Sequence, residues 1–334
     1  MRELIEAMPK VELHMHLEGS LEADLLFALA ARNRVDIGFA SEAALRAAYD
    51  FKDLKSFLDV YYAGLRVLIT EQDFYDMTWA YLSRVRRDNV EHTEVFLAPQ
   101  AHLRRGIAYG TMMDGVTRAI ADAKSRLGIT CGLILVFQRQ FSEDDAFATL
   151  RAGEAFAGHV VGYGLGGPEV GNRPGKFARV FAEIRAQGFK LVAHAGEEGG
   201  ADYVREAVEA LGVDRIDHGV RCEEDGALVQ ELAASRIPLT VCPLSNLKLR
   251  VVQRLEDHNI ARLLRAGLNV TMNSDDPSYF GGYMNDNYVA TQRAVGLTRE
   301  EIRTLARNAV SAAFVDATRR GELARSLEAY WAAR

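Results

Sequence analysis

The sequence predicts an α/β fold, a (β/α)8 TIM-type barrel with a helical insertion after the first strand. Eight short runs rich in Val, Ile and Leu alternate with amphipathic stretches, as expected for parallel strands that are covered by helices. The chain has 334 residues, which suits one large barrel. No low-complexity segment or Pro/Gly/Ser-rich linker divides it, so we expect a single domain over residues 1–334.

The predicted strands follow one another through the whole chain and cover residues 10–16, 92–99, 129–137, 159–166, 189–194, 215–220, 237–242 and 268–274. After the first strand, Ser20 is predicted to cap a helix in which Leu21, Leu25 and Leu29 stand at helical spacing. Three further helical stretches fill residues 41–89 and make up the insertion. The segment after the eighth strand, which includes REEIRTLARNAVSAAF, is predicted to form closing helices.

Composition and charge exclude several classes of protein. A net charge of −6 and a pI near 5.8 argue against a nucleic-acid partner, which usually requires a basic face. The three cysteines are odd in number and have no CxxC spacing, which is typical of a reducing compartment. The N-terminal segment lacks the apolar core of a signal peptide, and no apolar run is long enough to span a bilayer. We therefore expect a soluble cytoplasmic protein with no membrane partner, which could form a homo-oligomer.

The segment HMHLEGS carries two histidines directly after the run VEL. Because side chains alternate along a strand, Glu12, His14 and His16 are predicted to share the inward face, with both histidines near the carboxyl-terminal mouth. Active sites of this fold lie at that mouth, and neutral imidazole is a common metal ligand. Two interior histidines that hydrogen-bond the backbone are the alternative interpretation.

Further histidines and carboxylates fall at the ends of other predicted strands. His194 ends the fifth strand, with Glu197 just beyond it, and His218 ends the sixth. Asp275 and Asp276 end the eighth strand. Scattered surface residues would not collect at the same end of several strands, so the pattern favours a metal site. The remaining histidines are predicted to be incidental to that site: His92, His102, His159 and His258.

Three imidazoles and one carboxylate match a catalytic zinc ion, which takes few protein ligands and leaves a position for water. Zinc lowers the pKa of water towards about 7. Glu197 can transfer a proton to a substrate, His218 can orient or deprotonate the water, and Asp276 can face the substrate. The alternative for Glu197, Glu198 and Asp276 is a solvated loop acid or a helix N-cap. The predicted ligands of one zinc ion per chain are His14, His16, His194 and Asp275.

Two other metal-dependent classes do not fit the sequence. Cytidine-type deaminases use H-x-E with P-C-x-x-C, whereas Cys242 and Pro243 are followed here by Leu-Ser-Asn. Binuclear amidohydrolase barrels usually bridge two metals with a lysine at the end of the fourth strand, and this chain has none there before Lys176. The glycines of GLGGPEVGNRPG could make a turn or let backbone N–H groups approach a flat ligand. In CPLSN, Ser245 and Asn246 are predicted to be turn residues, with a supporting role in the site as the alternative.

Taken together, these motifs resemble the adenosine/adenine deaminase family. MPKVELHMHLEGSL, HAGE, DHGV, CPLSN and NSDDP match that family in order and spacing, from about residue 8 to about residue 316. The resemblance implies a zinc-dependent (β/α)8 hydrolase that converts a 6-aminopurine to a 6-oxopurine and ammonia. It also implies the roles of the site residues: zinc binding by His14, His16, His194 and Asp275, proton transfer to ring N1 by Glu197, orientation of hydroxide by His218, contact with N7 by Asp276, and a backbone contact near N3 at Gly167.

Within that family the chain resembles the adenine deaminase branch, through FLDVYYAGLRVLITEQDFYDMTWAYL and NSDDPSYFGGY. This resemblance implies hydrolysis of adenine to hypoxanthine. One departure is Gly166-Gly167-Pro168, where that branch commonly has Asp-Ser-Ser, and these residues could make room for a larger substrate. The alternative substrates are adenosine, an N6-substituted adenine or aminodeoxyfutalosine. A catalytically silent purine-binding barrel is a further alternative, against which the retained Glu197 and ligand set argue.

Glu18 is predicted to select the free base. In the adenosine-specific branch, the matching position resembles an aspartate that hydrogen-bonds the ribose. Glutamate is one methylene longer, so its carboxylate would reach into the space that a ribose needs and could accept the N9–H of a free base. An N9-substituted substrate would leave that buried carboxylate unpaired. The alternative is a Glu18 side chain that points to solvent.

Overall fold

The computed structural model describes residues 1–334 and confirms the predicted barrel. Eight strands form one sheet in which each strand pairs in parallel with the next along the chain. The first strand is shorter than predicted, and the others agree with the prediction within a few residues. The strands are β1 (Lys10–Glu12), β2 (Val90–Leu97), β3 (Thr130–Gln138), β4 (Val160–Gly166), β5 (Lys190–Ala195), β6 (Arg215–His218), β7 (Pro238–Val241) and β8 (Asn269–Met272).

Helices surround the sheet, and four of them lie between β1 and β2, which confirms the predicted insertion. No helix has both the length and the apolar character needed to cross a membrane. The helices are α1 (Arg2–Ala7), α2 (Ala23–Asn33), α3 (Glu42–Ala47), α4 (Leu54–Leu65), α5 (Glu71–Arg86), α6 (Pro99–Leu103), α7 (Tyr109–Leu127), α8 (Glu143–Ala152), α9 (Ala178–Ala186), α10 (Ala201–Glu206), α11 (Gly226–Ser235), α12 (Pro243–Lys248), α13 (Ile260–Arg265), α14 (Pro277–Phe280), α15 (Met284–Val295), α16 (Arg299–Ala312) and α17 (Ala317–Ala332).

The prediction that Ser20 caps helix α2 is wrong. Ser20 ends a short 3-10 turn, and its hydroxyl donates a hydrogen bond to the Leu17 carbonyl at 2.7 Å. Helix α2 begins after Glu22, whose side chain makes no capping hydrogen bond. The local turn therefore competes successfully for the hydroxyl that a helix N-terminus would otherwise use.

The barrel closes between β1 and β8 beyond the ends of both strands. The N–H of Asp275 donates to the His14 carbonyl at 3.1 Å, and the N–H of His16 donates to the Asp275 carbonyl at 2.9 Å. Earlier in the chain, the N–H of Leu13 donates to the side-chain oxygen of Asn273 at 2.8 Å. Unpaired backbone groups at this buried seam would be costly. The segments that carry candidate metal ligands are therefore also the ones that join the first strand to the last.

The prediction that Glu12 shares a face with His14 is wrong. The Glu12 carboxylate accepts hydrogen bonds from Tyr81 of α5 at 2.6 Å and from Ser274, whereas the His14 ring contacts Thr240 of β7. Regular pairing of β1 ends at Glu12, so the alternation of side chains does not continue to residue 14. Glu12 thus ties the helical insertion to the seam of the barrel.

A buried ion pair fills the amino-terminal part of the barrel. Arg215 of β6 donates to Glu94 of β2 at 2.6 Å, and neither side chain is exposed. Arg215 also donates to the Leu13 carbonyl at 2.9 Å, and its guanidinium lies 4.4 Å from the centre of the Phe314 ring. The backbone N–H of Phe314 donates to Glu94. These contacts offset the cost of removing two charges from water, so the pair is stable only while both partners are present.

We predict that Glu94→Gln lowers the free energy of unfolding by about 3–5 kcal/mol, because Arg215 then remains charged and buried without its partner. The double variant Glu94→Gln/Arg215→Met should be destabilised less than Glu94→Gln alone, since no guanidinium remains buried without Glu94. Urea unfolding measures both effects. Lys55→Met, which breaks an exposed pair with Asp59, is the control and should leave the unfolding midpoint unchanged. Additive losses in the double variant would contradict the pairing.

Candidate active site

Four side chains suited to metal binding converge at the carboxyl-terminal mouth of the barrel. The Nε2 atoms of His14 and His16 lie 3.2 and 3.5 Å from Oδ1 of Asp275. The Nε2 atoms of His16 and His194 lie 3.1 Å apart. Three of the four residues are buried, and His16 is nearly so. Nitrogen and oxygen donors at this spacing are suited to hold a divalent cation.

Hydrogen bonds determine which ring nitrogen carries a proton in two of these imidazoles. The Thr240 hydroxyl donates its proton to Asp217, since a carboxylate can only accept, so the Nδ1–H of His14 donates to the Thr240 oxygen at 2.9 Å. The Nδ1–H of His194 donates to a backbone carbonyl at 3.1 Å. In the neutral form of each ring, Nε2 therefore carries the lone pair, and Nε2 of His14 has no hydrogen-bond partner. Burial lowers the pKa of His16 to about 3, so this ring is neutral. The donor set fits a metal ion.

Asp217 supports this set of donors and was not identified from the sequence. Its carboxylate accepts the Thr240 proton at 2.9 Å and lies 3.4 Å from Nδ1 of His194. Burial opposes ionisation of Asp217, but the neighbouring imidazoles of His194 and His14 outweigh it and hold its pKa well below the usual range. An ionised carboxylate behind two imidazoles orients the rings and makes them stronger ligands.

Two left-handed backbone turns bring adjacent side chains to the same site. Alternation along β6 would send His218 away from Asp217, but His218 adopts a φ of +64°. Asp275 has a φ of +65°, and Asp276 follows it directly. Residues other than glycine seldom adopt this conformation, which is concentrated at functional sites. At both turns it allows two consecutive polar side chains to serve one site.

A cavity that is partly open to solvent lies over these side chains. Helix α4 forms part of its wall with Leu54, Phe57, Leu58, Tyr61 and Tyr62. These residues recur at intervals of three and four, so they occupy one face of the helix. The helical insertion therefore covers the polar cluster with largely apolar surface, which limits access of water to it.

Glu197 and His218 lie side by side in this cavity. Nε2 of His218 is 3.5 Å from Oε2 of Glu197 and 3.8 Å from Oδ2 of Asp275. Burial, followed by the negative charge of Asp275, raises the pKa of Glu197 well above its usual range. Burial and the neighbouring His14 lower the pKa of His218 well below its usual value. A carboxyl group that keeps its proton and an imidazole that stays neutral supply an acid and a base to the same cavity.

Asp276 reaches the cavity because residue 19 has no side chain. A Cβ atom on Gly19 would overlap Oδ1 of Asp276. Burial and the charge of Asp275 raise the pKa of Asp276 well above its usual range, so its carboxyl group keeps a proton. Oδ1 has no hydrogen-bond partner. The glycine of HLEGS thus leaves a polar group available to a bound molecule.

Glu18 is fully buried and does not point to solvent. Its Oε1 accepts hydrogen bonds from the Ala98 N–H at 3.0 Å and from His102 at 3.1 Å. Arg105 donates to Nδ1 of His102 at 2.7 Å, so the proton of that ring lies on Nε2 and is directed at Glu18. Burial opposes ionisation of Glu18, but these hydrogen bonds outweigh it and hold its pKa below the usual range. His102, predicted to be incidental to the metal site, therefore holds the Glu18 carboxylate.

One oxygen of Glu18 is left without a partner. Oε2 is buried and accepts no hydrogen bond within the protein. His16 and Ala98 line the cavity, whereas Glu18 itself does not. An unpaired carboxylate oxygen beside the cavity is costly unless a bound molecule donates a proton to it.

The turn after β4 has no room for larger side chains. Gly167 adopts a φ of +94°, and a Cβ atom there would lie 2.6 Å from Oε1 of Gln140. A Cβ atom on Gly166 would lie 2.9 Å from Cγ1 of Val136. Gln140 and Val136 thus occupy the space into which side chains at these two positions would extend. Both glycines nevertheless line the cavity.

Known proteins match this chain over nearly its whole length. A family model described as Adenosine deaminase matches residues 9–330. An adenine deaminase of Acinetobacter baylyi is 54% identical over 314 residues, which cover 94% of this chain and 95% of the relative. The crystal structure of an adenine deaminase from Arthrobacter aurescens has a TM-score of 0.96 and 45% identity, covering 98% of this chain and 100% of the other. An amidohydrolase from Burkholderia ambifaria, solved with bound Zn, has a TM-score of 0.89 and 28% identity, covering 99% and 94%.

Proposed function

This chain belongs to the adenosine deaminase family, and from that premise we propose that it hydrolyses adenine to hypoxanthine and ammonia with one zinc ion per chain. The observation that carries the proposal is the convergence of imidazole nitrogens and Asp275 beside a protonated Glu197 in a largely apolar cavity. In the reaction, a water oxygen bonds to C6, the C6–N6 bond breaks, and the amino group leaves as ammonia. The Acinetobacter and Arthrobacter relatives, both adenine deaminases, support adenine as the substrate.

We propose that zinc is held by His14, His16, His194 and Asp275. The fixed tautomers of two imidazoles and the free Nε2 of His14 support this set. The Burkholderia amidohydrolase was solved with Zn, which supports the choice of metal. When bound, zinc is a Lewis acid that makes hydroxide available from water at neutral pH.

The remaining site residues match the hydrogen-bonding edges of free adenine. Glu197 donates its proton to N1, which makes C6 more electrophilic, and His218 orients the attacking water. Asp276 is protonated and donates to N7, while the backbone N–H of Gly167 approaches N3. The free Oε2 of Glu18 accepts the N9–H, a proton that a nucleoside lacks. Each ring acceptor thus meets a donor, and the one ring donor meets a carboxylate.

We also propose a single-domain enzyme of the cytoplasm that acts on a small molecule and not on nucleic acid. All three cysteines are free, which supports a reducing compartment. The acidic net charge of −6 supports the absence of a polyanionic partner.

We predict that His16→Ala loses zinc, whereas His218→Ala retains one zinc per chain and loses turnover. This comparison is needed because the ligand atoms that lie within 4.8 Å of one another belong to a different set, namely His14, His194, His218 and Asp275, whereas His16 groups with Asp275 and Asp276. Metal analysis of the purified proteins, together with ammonia release, separates the two roles. One zinc per chain in His16→Ala and none in His218→Ala would show that His218 is the ligand and His16 is not.

We predict that Glu197→Gln keeps its zinc and lowers kcat by about 10²–10⁴-fold, the usual contribution of a general acid. Glutamine matches glutamate in shape but cannot give up a proton. Glu198→Gln is the matched control, because it removes the adjacent carboxyl group, which is half-buried on the same loop. A Glu197→Gln enzyme with a near-normal rate, or one that has lost its metal, would contradict the assigned role.

We predict that adenine has a higher kcat/KM than adenosine, because a substituent at N9 leaves the buried Glu18 carboxylate unpaired. Glu18→Asp withdraws the carboxylate by one methylene and should reduce the ratio of the two kcat/KM values. Both substrates are assayed in wild type and variant. A faster reaction with adenosine in wild type would refute the nucleobase assignment, and an unchanged ratio in Glu18→Asp would show that Glu18 does not determine it.

A further inference from the structure

One buried carboxylate next to the active site forms no ion pair within 4.0 Å and has no assigned role. Glu169 follows β4 on the turn Gly166-Gly167-Pro168, and it is 1% exposed. Its Oε1 accepts a hydrogen bond from the Gly196 N–H at 2.7 Å. Its Oε2 accepts bonds from the three following amides, Glu197 at 3.1 Å, Glu198 at 2.8 Å and Gly199 at 2.9 Å. Four consecutive backbone N–H groups therefore point at a single carboxylate.

The loop between β5 and α10 takes its shape around this carboxylate. Gly196 adopts a φ of +76°, which a side chain would disfavour, and a Cβ atom on Gly199 would lie 2.9 Å from Oε1 of Glu169. Successive amides that curve around an anion form a concave nest for it. Without Glu169, these mostly buried N–H groups would lack acceptors, which costs about 1–3 kcal/mol for each unsatisfied group. The backbone amides of HAGEEG thus surround the carboxylate of Glu169, which follows the fourth strand.

The position of this loop determines where the proposed proton donor lies. Glu197 is one of the four residues whose amides bind Glu169, so its Cα atom is fixed by that contact. The Glu197 carboxyl group in turn lies 3.5 Å from His218. Further along the loop, Arg221 donates a hydrogen bond to the Glu198 carbonyl. Both the amide and the carbonyl of Glu198 therefore have a hydrogen-bond partner. A change at Glu169 would therefore move the acid relative to the substrate without touching the metal ligands.

We propose that Glu169 is a positioning residue for catalysis, which folds the 196–199 loop so that the Glu197 carboxyl group faces the reacting purine nitrogen. The inference rests on the proposed function, because it assumes that Glu197 is the proton donor. A misplacement of a reacting group by about 1 Å can cost on the order of 10²-fold in rate, so loss of the nest should be visible in kcat. Since Glu169 does not touch the substrate, KM should change little.

The test compares Glu169→Gln with Glu143→Gln. Glutamine keeps the shape of Glu169 but presents an NH2 group to at least one of the four amides, and it removes the charge. Glu143 is the matched control, because its carboxylate also accepts two consecutive backbone amides, those of Arg179 at 2.7 Å and Val180 at 3.0 Å, away from the cavity. Steady-state kinetics are measured with whichever 6-aminopurine the wild type converts, together with zinc content.

We expect Glu169→Gln to retain one zinc per chain and to lose about 10–100-fold in kcat, with KM changed by less than about threefold. Glu143→Gln should leave kcat unchanged. Equal kcat in Glu169→Gln and wild type, or equal losses in both variants, would overturn the proposal. Inactivity of the wild type towards every 6-aminopurine would instead refute the proposed function.

A second measurement on the wild-type holoenzyme does not depend on activity or on the folding of a variant. The amides of residues 196–199 lie in a loop, yet the contacts with Glu169 should protect them from hydrogen exchange as strongly as the amides of β5. Exchange followed by mass spectrometry of overlapping peptides resolves this segment. Exchange at the rate of an exposed loop would show that the nest does not hold the loop in place, and would overturn the proposal.

Discussion

The seam between the first and last strands is the constraint on which the rest of the site depends. A closed barrel requires β1 to meet β8, but regular pairing ends at Glu12 and Met272, short of the mouth. The closure is completed by the backbone of His14, His16 and Asp275. Three of the four proposed zinc ligands are therefore held by the hydrogen bonds that close the sheet. Any movement that opened the seam would separate these ligands, so the metal site is complete only when the barrel is closed.

Below the mouth, buried charges alternate in sign along the barrel interior. Glu94 pairs with Arg215, and Nε of Arg215 lies 3.9 Å from Oδ1 of Asp217. Asp217 in turn lies next to the Nδ1 atoms of His14 and His194. Each buried charge has a neighbour of opposite sign or a hydrogen-bond donor, which is the condition under which charges are tolerated in an interior. Rotation of either imidazole would break its contact with Asp217. The orientation of the two rings therefore depends on Asp217 and, through it, on the Glu94–Arg215 pair below.

The fold and the polar cluster could be predicted from the sequence because both follow from simple periodicity. Strand-like runs alternate with helical ones, and polar residues collect where each strand ends, which places His194, His218 and Asp275 at one mouth. The errors occurred where the backbone leaves regular geometry. Alternation assigned Glu12 to the wrong face, and it gave no reason to pair Asp217 with its neighbour His218, because a left-handed turn is not visible in a sequence without glycine.

Other contacts could not be predicted because they join residues that are distant in the chain. His102 and Glu18 are 84 residues apart, and Glu169 binds amides that lie 27 to 30 residues further on. A single sequence contains no signal for such pairs. Asn246 was expected in a turn, but it lies on α12 and accepts a hydrogen bond from His258. In each case tertiary packing determined the partner, and no local pattern did.

The acids near the cavity divide into two protonation states, and this division explains how one site can recognise a purine on all its edges. Carboxyl groups this close to one another cannot all ionise, since each charge raises the pKa of its neighbours. Glu18 has hydrogen bonds from His102 and a backbone amide, and Asp275 has imidazoles around it, so these two ionise. For Glu197 and Asp276, burial and the charge of Asp275 dominate, so both keep their protons. The two protonated acids suit the acceptors N1 and N7 of adenine, and the ionised Glu18 suits N9–H. An N9-substituted purine would meet the same two donors but would offer nothing to the carboxylate, so the proposed discrimination depends on a single buried charge.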